Sequence, residues 1–182
     1  MKFLLLIALI GALALMAYRG LRSGHPPLPG QIAPDFKLPD QSGTMRSLSD
    51  FSGRWRVLYF YPKDDTPACT QEACHFRDDF AALKALGVEV IGISLDSPSS
   101  HARFAGKYQL PFHLLADESG NTVRAYGALM DFGLLRMAKR YTFLIDPDGR
   151  IAVSYLSVNT ADHSKKVIED LQSRIKMPQN KH

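Results

Sequence analysis

Cysteine is scarce in this chain: Cys69 and Cys74 are the only two in 182 residues. Two thiols cannot build the disulfide framework of a small secreted scaffold, and with 46% hydrophobic residues the chain can bury a core without one. The Cys-x-x-Cys spacing of a thioredoxin-type exchange site is missing. Metal-knuckle spacing is missing too, because His25, His75, His101, His113, His163 and His182 are scattered. No metal and no cofactor is expected.

Acid is absent from the N-terminus. Residues 1–24 hold Lys2, Arg19 and Arg22 and none of the 18 Asp and Glu, so most of the formal +4 charge resides there. The remaining body is nearly neutral, which argues against nucleic-acid binding. The same stretch carries the one long apolar run, Phe3 to Tyr18. Its length lies between a signal-peptide core of roughly 7–15 residues and a spanning helix of ~17–25. Residues 1–22 are therefore expected to be a signal or an anchor. Retention gives membrane anchoring through residues 3–18, whereas cleavage near Ala12-Leu13-Ala14 gives an exported chain. Either way the domain is expected to be membrane-anchored or exported, facing the periplasm, although Lys2 on one side of the run and Arg19 and Arg22 on the other leave its orientation open.

Residues 23–30, rich in Pro and Gly, read as a linker, residues 31–176 as one domain and residues 177–182 as a polar tail. Apolar runs of strand length occur at 56–61, 88–94 and 141–146, with a shorter one at 112–115. Helical stretches are expected from Pro67 to Leu86 and at about 99–108, 119–126 and 162–175. A hairpin turns at Pro147-Asp148-Gly149. Strand–helix–strand units followed by a hairpin predict an α/β domain of thioredoxin-like fold, a mixed central sheet flanked by helices.

The cysteines fall in the Pro67 helix. Thr66 and Pro67 form a start signature, a hydroxyl N-cap followed by proline at the first helical position. Cys69 then lies in the first turn, where free N–H groups and the helix dipole favour an anion. At 100° per residue, Ala73, Phe76, Phe80 and Leu83 lie within about 40° of Cys69, so the thiol belongs to the stripe that packs on the sheet. Cys74 is about 140° round and ~7.5 Å along, which separates the two Cα atoms by roughly 8.7 Å. A disulfide needs them within about 7 Å. Either the cysteines never pair, or the first turns of the helix unwind for them to do so.

The surrounding sequence, YPKDDTPACTQEACHF, carries Pro-x-x-x-Thr-x-x-Cys as Pro62, Thr66 and Cys69. It resembles the peroxiredoxins, and the five-residue step to Cys74 is similar to their bacterioferritin-comigratory, or Q-type, subfamily. The resemblance extends through APDFKL, LSDFSG, VIGISLDS, FAGKYQLPFHLLAD and RYTFLIDPDGRI, covering roughly residues 31–175. It implies a peroxidase whose peroxidatic Cys69 becomes a sulfenic acid, which Cys74 resolves as a Cys69–Cys74 disulfide. Hydrogen peroxide and organic hydroperoxides are the implied substrates, and a thioredoxin- or glutaredoxin-like thiol protein the reductant. A monomer or weak dimer is expected.

Acidity alone cannot make such an enzyme fast. Lowering a thiol pKa from about 8.5 to about 6 raises the thiolate fraction at pH 7 only ~30-fold. Fixed donors aimed at the peroxide oxygens must supply most of the barrier reduction. The candidates are the Thr66 hydroxyl, backbone N–H groups at the helix start and Arg140, which stands where the family places its pocket arginine. Arg136 is the competing cation. Pro62 is expected to shield the pocket, and Glu72 either to orient the arginine or to remain a solvated first-turn acid. Lys63, Asp64 and Asp65 read as a solvated loop rather than a second site, and His75, beside Cys74, has no metal-ligand spacing. Residues 128–139 are shorter and more apolar than in many relatives. There Phe132, Leu134, Leu135 and Met137 read as pocket wall or core, with a partner or membrane contact as the alternative. Two rival functions are a membrane-anchored thiol–disulfide oxidoreductase, which lacks its Cys-x-x-Cys, and a non-catalytic thioredoxin-like binding or chaperone module.

Overall fold

The computed structural model describes Gly11, residues 24–133 and residues 135–176. Along the chain run β1 (Lys37–Pro39), β2 (Met45–Ser47), β3 (Trp55–Phe60), α1 (Pro67–Asp78) and α2 (Phe80–Ala85). Then follow β4 (Val88–Ser94), α3 (Pro98–Tyr108), β5 (His113–Ala116), α4 (Asn121–Ala125), β6 (Leu129–Asp131) and β7 (Arg136–Ala138). The last elements are β8 (Tyr141–Ile145), β9 (Ile151–Tyr155) and α5 (His163–Lys176).

Alternation along β3 explains the layers. Val57 and Tyr59 turn to one face and Leu58 and Phe60 to the other, and all four are buried. A strand apolar on both faces needs cover on both sides. On the Tyr59 face lie Cys69, Ala73 and Phe76 of α1, Leu83 of α2, Phe104 of α3 and Val167 and Leu171 of α5. On the Phe60 face lie Phe36, Leu48 and Phe51 from the N-terminal part of the domain, with Val123 and Tyr126 from α4 and its cap. The sheet order is β5-β4-β3-β8-β9. β3, β4 and β5 are parallel, whereas β8 runs antiparallel to both β3 and β9. This is the mixed α/β sheet expected of a thioredoxin-like fold.

Gly92 of β4 pairs with Tyr59, and a Cβ at that position would lie only 2.7 Å from the tyrosine ring. The missing side chain makes room for Tyr59, whose ring meets Phe76 at 5.1 Å and so supports α1 from below.

Several expectations need correction. The single helix from Pro67 to Leu86 is two helices, broken at Asp79 with φ −89 and ψ 1. The Asp79 carboxylate accepts the Ser164 hydroxyl at 2.7 Å, which ties the junction of the two helices to α5. Two short hairpins, β1–β2 and β6–β7, were not expected, because three-residue strands carry too little periodicity to be read. The Pro/Gly-rich stretch lies on the domain from Gly24 onward. Pro27 is buried, its carbonyl accepts the Ser154 hydroxyl at 3.0 Å, and the Gly30 N–H meets the Ile151 carbonyl at 2.7 Å.

Membrane anchoring and export are not upheld. Among the described residues no helix is long and apolar enough to cross a membrane. The longest, α5, has 14 residues and a charge-rich sequence, whereas a span needs ~20 apolar residues. Residues 3–18, on which that expectation stood, lie outside the described residues apart from Gly11, as do the tail 177–182 and Leu134.

Candidate active site

The C-terminal end of β3 runs through Tyr61 into the loop 62–66, which delivers the chain to α1. Thr66 occupies the N-cap position in an extended conformation, with Pro67 next. Its hydroxyl does not cap the helix, contrary to expectation, but donates to the Lys63 carbonyl at 3.0 Å. The Thr70 N–H is bonded to the Thr66 carbonyl, and Pro67 has no N–H. The N–H groups of Ala68 and Cys69 are therefore left without intrahelical acceptors at the mouth of the helix. There they add to the positive end of the dipole.

Cys69 is buried, and Cys74 is half-buried; both are free thiols. Sheet topology brings the cation to the first thiol. Because β8 is antiparallel to β3, Tyr141 pairs with Phe60, so the residue before β8 arrives beside the end of β3. From that position Arg140 Nη2 donates to Cys69 Sγ at 3.2 Å, while Nη1 forms a salt bridge with Glu72. The Glu72 side chain is 1% exposed. Burial pushes its carboxyl up from 4.5 to about 7, with the Arg140 charge opposing the rise. Burial also works against Arg140, but Glu72 and Cys69 outweigh it and hold the guanidinium above its ordinary value. Glu72 is thus a paired, buried acid on the inner side of α1.

Pro62 and Thr66 line an open groove of roughly 370 Å³ with Lys63, Leu95, Asp96, Leu135, Arg136 and Met137. The apolar segment 128–139 therefore forms part of the groove wall, with Phe132 and Leu135 exposed. Arg136 donates instead to the Ser119 carbonyl. Of the two candidate cations, Arg140 is the one that reaches the sulfur.

The outer faces of α1 are tied down as well. His75 Nδ1 bonds the Thr160 carbonyl at 2.8 Å, the Thr160 hydroxyl donates to Gln71 at 2.6 Å, and Arg77 Nη1 donates to the Tyr108 carbonyl at 2.9 Å. His75 is a tether rather than an incidental neighbour.

The loop 62–66 also departs from expectation. Asp65 is exposed, as expected, in the left-handed region at φ 59, where Lys107 and Tyr108 hold its carboxylate at 2.8 and 2.7 Å. Asp64 is buried. Its carboxylate accepts from the Tyr61 hydroxyl at 2.8 Å and from His101 Nδ1 at 2.9 Å. Burial opposes that charge, but the bond from His101 and its neighbours outweigh burial and keep the carboxyl below the usual range. The signal for this cluster lay in α3, where His101 shares the inward face of Phe104 and Ala105 at helical spacing.

A thiol at a helix mouth, bridged by an arginine to a buried carboxylate at one edge of a thioredoxin-like sheet, defines a thiol-based redox enzyme. The chain belongs to the AhpC/TSA family, whose model matches residues 29–154, and is a peroxiredoxin, a thiol-dependent peroxidase. It is 41% identical to peroxiredoxin Bcp of Bacillus subtilis over 147 residues, 79% of this chain and 94% of that one. Against the chloroplastic peroxiredoxin Q of Gentiana triflora it is 44% identical over 146 residues, 79% of this chain and 66% of that one. Its fold matches a structure of the bacterioferritin comigratory protein of Xanthomonas campestris, described for its alkyl peroxide reduction activity. That match has a TM-score of 0.73 and 31% identity, covering 78% of this chain and 92% of that one.

Proposed function

We propose that Cys69 is the peroxidatic cysteine and Cys74 its resolving partner. The observation that carries this reading is the Arg140 bridge, which joins the Cys69 sulfur at 3.2 Å to Glu72 across the mouth of α1. The Cys69 thiolate attacks the terminal oxygen of a hydroperoxide. The O–O bond breaks, the attacked oxygen stays on sulfur as a sulfenic acid, and the other oxygen leaves with a proton as water or an alcohol. Arg140 and the N–H groups of Ala68 and Cys69 face the charge that develops on the two oxygens. The Thr66 hydroxyl donates its hydrogen bond to the Lys63 carbonyl, so its lone pairs are available to the peroxide O–H. Pro62 covers the groove side.

In the second half, the Cys74 sulfur attacks the Cys69 sulfenic sulfur, the S–S bond forms and water leaves. The helical spacing holds the thiols apart, so α1 must open between them, and its break at Asp79 allows it to do so without α2. A dithiol protein of thioredoxin or glutaredoxin type then reduces the disulfide by exchange. The apolar wall of Leu135 and Met137 supports organic hydroperoxides as substrates beside hydrogen peroxide, in keeping with the alkyl peroxide activity of the Xanthomonas relative. Neither rival function accounts for the Arg140–Cys69–Glu72 bridge.

The test is stopped-flow reaction of the reduced chain with one equivalent of hydrogen peroxide, with products read by intact mass. Wild type should end as the disulfide, Cys74→Ser as a sulfenic acid, and Cys69→Ser should not react. Peroxide consumption no faster than that of a free thiol sinks the proposal.

A further inference from the structure

The catalytic steps above make no use of the buried cluster under the active-site loop. Three side chains from three elements meet there: Tyr61 beyond the end of β3, Asp64 in the loop and His101 in α3. The His101 and Asp64 side chains are 0% and 4% exposed. A carboxylate can only accept hydrogen bonds, and this one takes two, from the Tyr61 hydroxyl at 2.8 Å and His101 Nδ1 at 2.9 Å. The backbone of the same residue is held separately. The Asp64 N–H donates to Asp96 Oδ2 at 2.9 Å, and that oxygen also receives the Ser94 hydroxyl at 2.7 Å. The next residue, Asp65, is in the left-handed region and is gripped by Lys107 of α3. Thr66, two residues beyond Asp64, has its hydroxyl pinned to the Lys63 carbonyl on the other side of Asp64. The short loop between the sheet and the thiol helix is thus fixed from below by α3 and the end of β4.

A buried charge of this kind is costly unless fully bonded. It is a stiff support for the groups above it and a poor filler for space that an apolar side chain could occupy. We propose that Asp64 and His101 are positioning residues for peroxide reduction: their bond sets the 62–66 loop so that the Thr66 hydroxyl and Pro62 face the peroxide bound at Cys69. The inference rests on the peroxidase reading. It deepens that reading by placing specificity for the O–O bond partly in α3, outside the thiol–arginine pair.

A displacement of about 1 Å at a reacting group can cost ~10²-fold in rate, whereas alkylation of the same thiol by iodoacetamide does not use the loop donors. The experiment uses the full-length reduced chain in a Cys74→Ser background, so that Cys69 is the only thiol. Second-order rates with hydrogen peroxide and with iodoacetamide are measured for the parent, Asp64→Asn, His101→Asn and the double variant. Each single variant should react with peroxide at least ~10-fold more slowly while alkylating within about twofold of the parent. The double variant should be no slower than the slower single, because the two residues act through one bond. Unchanged peroxide rates, or peroxide and alkylation rates falling together, overturn the inference. If Asp64→Asn does not fold, His101→Asn decides by the same ratio. A parent that reacts with peroxide no faster than a free thiol overturns the peroxidase reading, and this inference with it.

Discussion

Replacing Arg140 by methionine removes the cation from Glu72 while keeping an unbranched apolar stem, and the consequence depends on pH in a direction the structure dictates. In the wild type, Glu72 is buried and its carboxyl titrates at about 7 instead of 4.5. The folded state holds this proton more tightly than the unfolded chain. The Glu72 contribution to stability is therefore greatest below pH 4.5, falls as pH rises to about 7, and is flat above. A displacement of that size corresponds to roughly 3 kcal/mol. Arg140 opposes the displacement, so its loss drives the Glu72 carboxyl higher still and extends the window of falling stability above neutrality. At pH 5 the carboxyl is largely protonated in the folded variant, and the penalty should be about 1 kcal/mol, from lost packing and hydrogen bonds. At pH 8.5 it should reach about 3–5 kcal/mol, the usual consequence of stripping one partner from a buried pair. Urea unfolding of wild type, Arg140→Met and Arg140→Met/Glu72→Gln at the two pH values measures this directly. Arg140 also touches Cys69, so the comparison that isolates Glu72 is between Arg140→Met and Arg140→Met/Glu72→Gln, which both lack the cation. The double variant should recover most of the loss at pH 8.5. A penalty equal at both pH values would refute the reasoning, since Glu72 would then not be the buried charge that Arg140 compensates.

Three further outcomes are expected. Thr66→Val keeps the shape of the side chain but removes the hydroxyl, and should slow the peroxide reaction by roughly 10²-fold with little change in unfolding midpoint; a rate within twofold of wild type refutes that role. His163 is buried against Thr142 and its imidazole is pushed down to about 4 by burial, so the folded state resists protonation. Stability should fall as pH drops from 6.5 to about 4, opposite in sign to Glu72, and His163→Phe should flatten that limb in an acid titration followed by circular dichroism. Gly92→Ala would place its Cβ 2.7 Å from the Tyr59 ring, and should cost about 1–3 kcal/mol in thermal unfolding as the ring under α1 is displaced; an unchanged melting temperature would show that Tyr59 can give way.

Much of the site was legible because its parts follow simple rules. The Thr66-Pro67 start and the apolar stripe of Ala73 and Phe76 place Cys69 at a buried helix mouth on local grounds alone. Arg140 needed more, since nothing local links it to a residue 71 positions away. The link comes from resemblance together with the antiparallel pairing of β8 with β3. The burial of Asp64 was not legible, because a charged run in a loop looks solvated unless its partner is known. His101 lies 37 positions further on and joins Asp64 only through the packing of α3. The break at Asp79 gave no local signal, since the apolar stripe of Ala73, Phe76, Phe80 and Leu83 runs straight through it. Misreadings cluster at polar groups whose partners are distant, while apolar periodicity was read well.

The antiparallel placement of β8 also orders events during synthesis. Cys69 is made 71 residues before Arg140, so a ribosome-bound chain carries the thiol for several seconds without its cation, at translation rates of ~5–20 residues per second. During that interval neither Glu72 nor Cys69 has its partner, and the peroxide-selective arrangement does not exist. On the proposed mechanism, reactivity beyond that of an ordinary thiol switches on only when β8 docks along β3. The growing chain is thereby spared the chemistry that the finished enzyme performs.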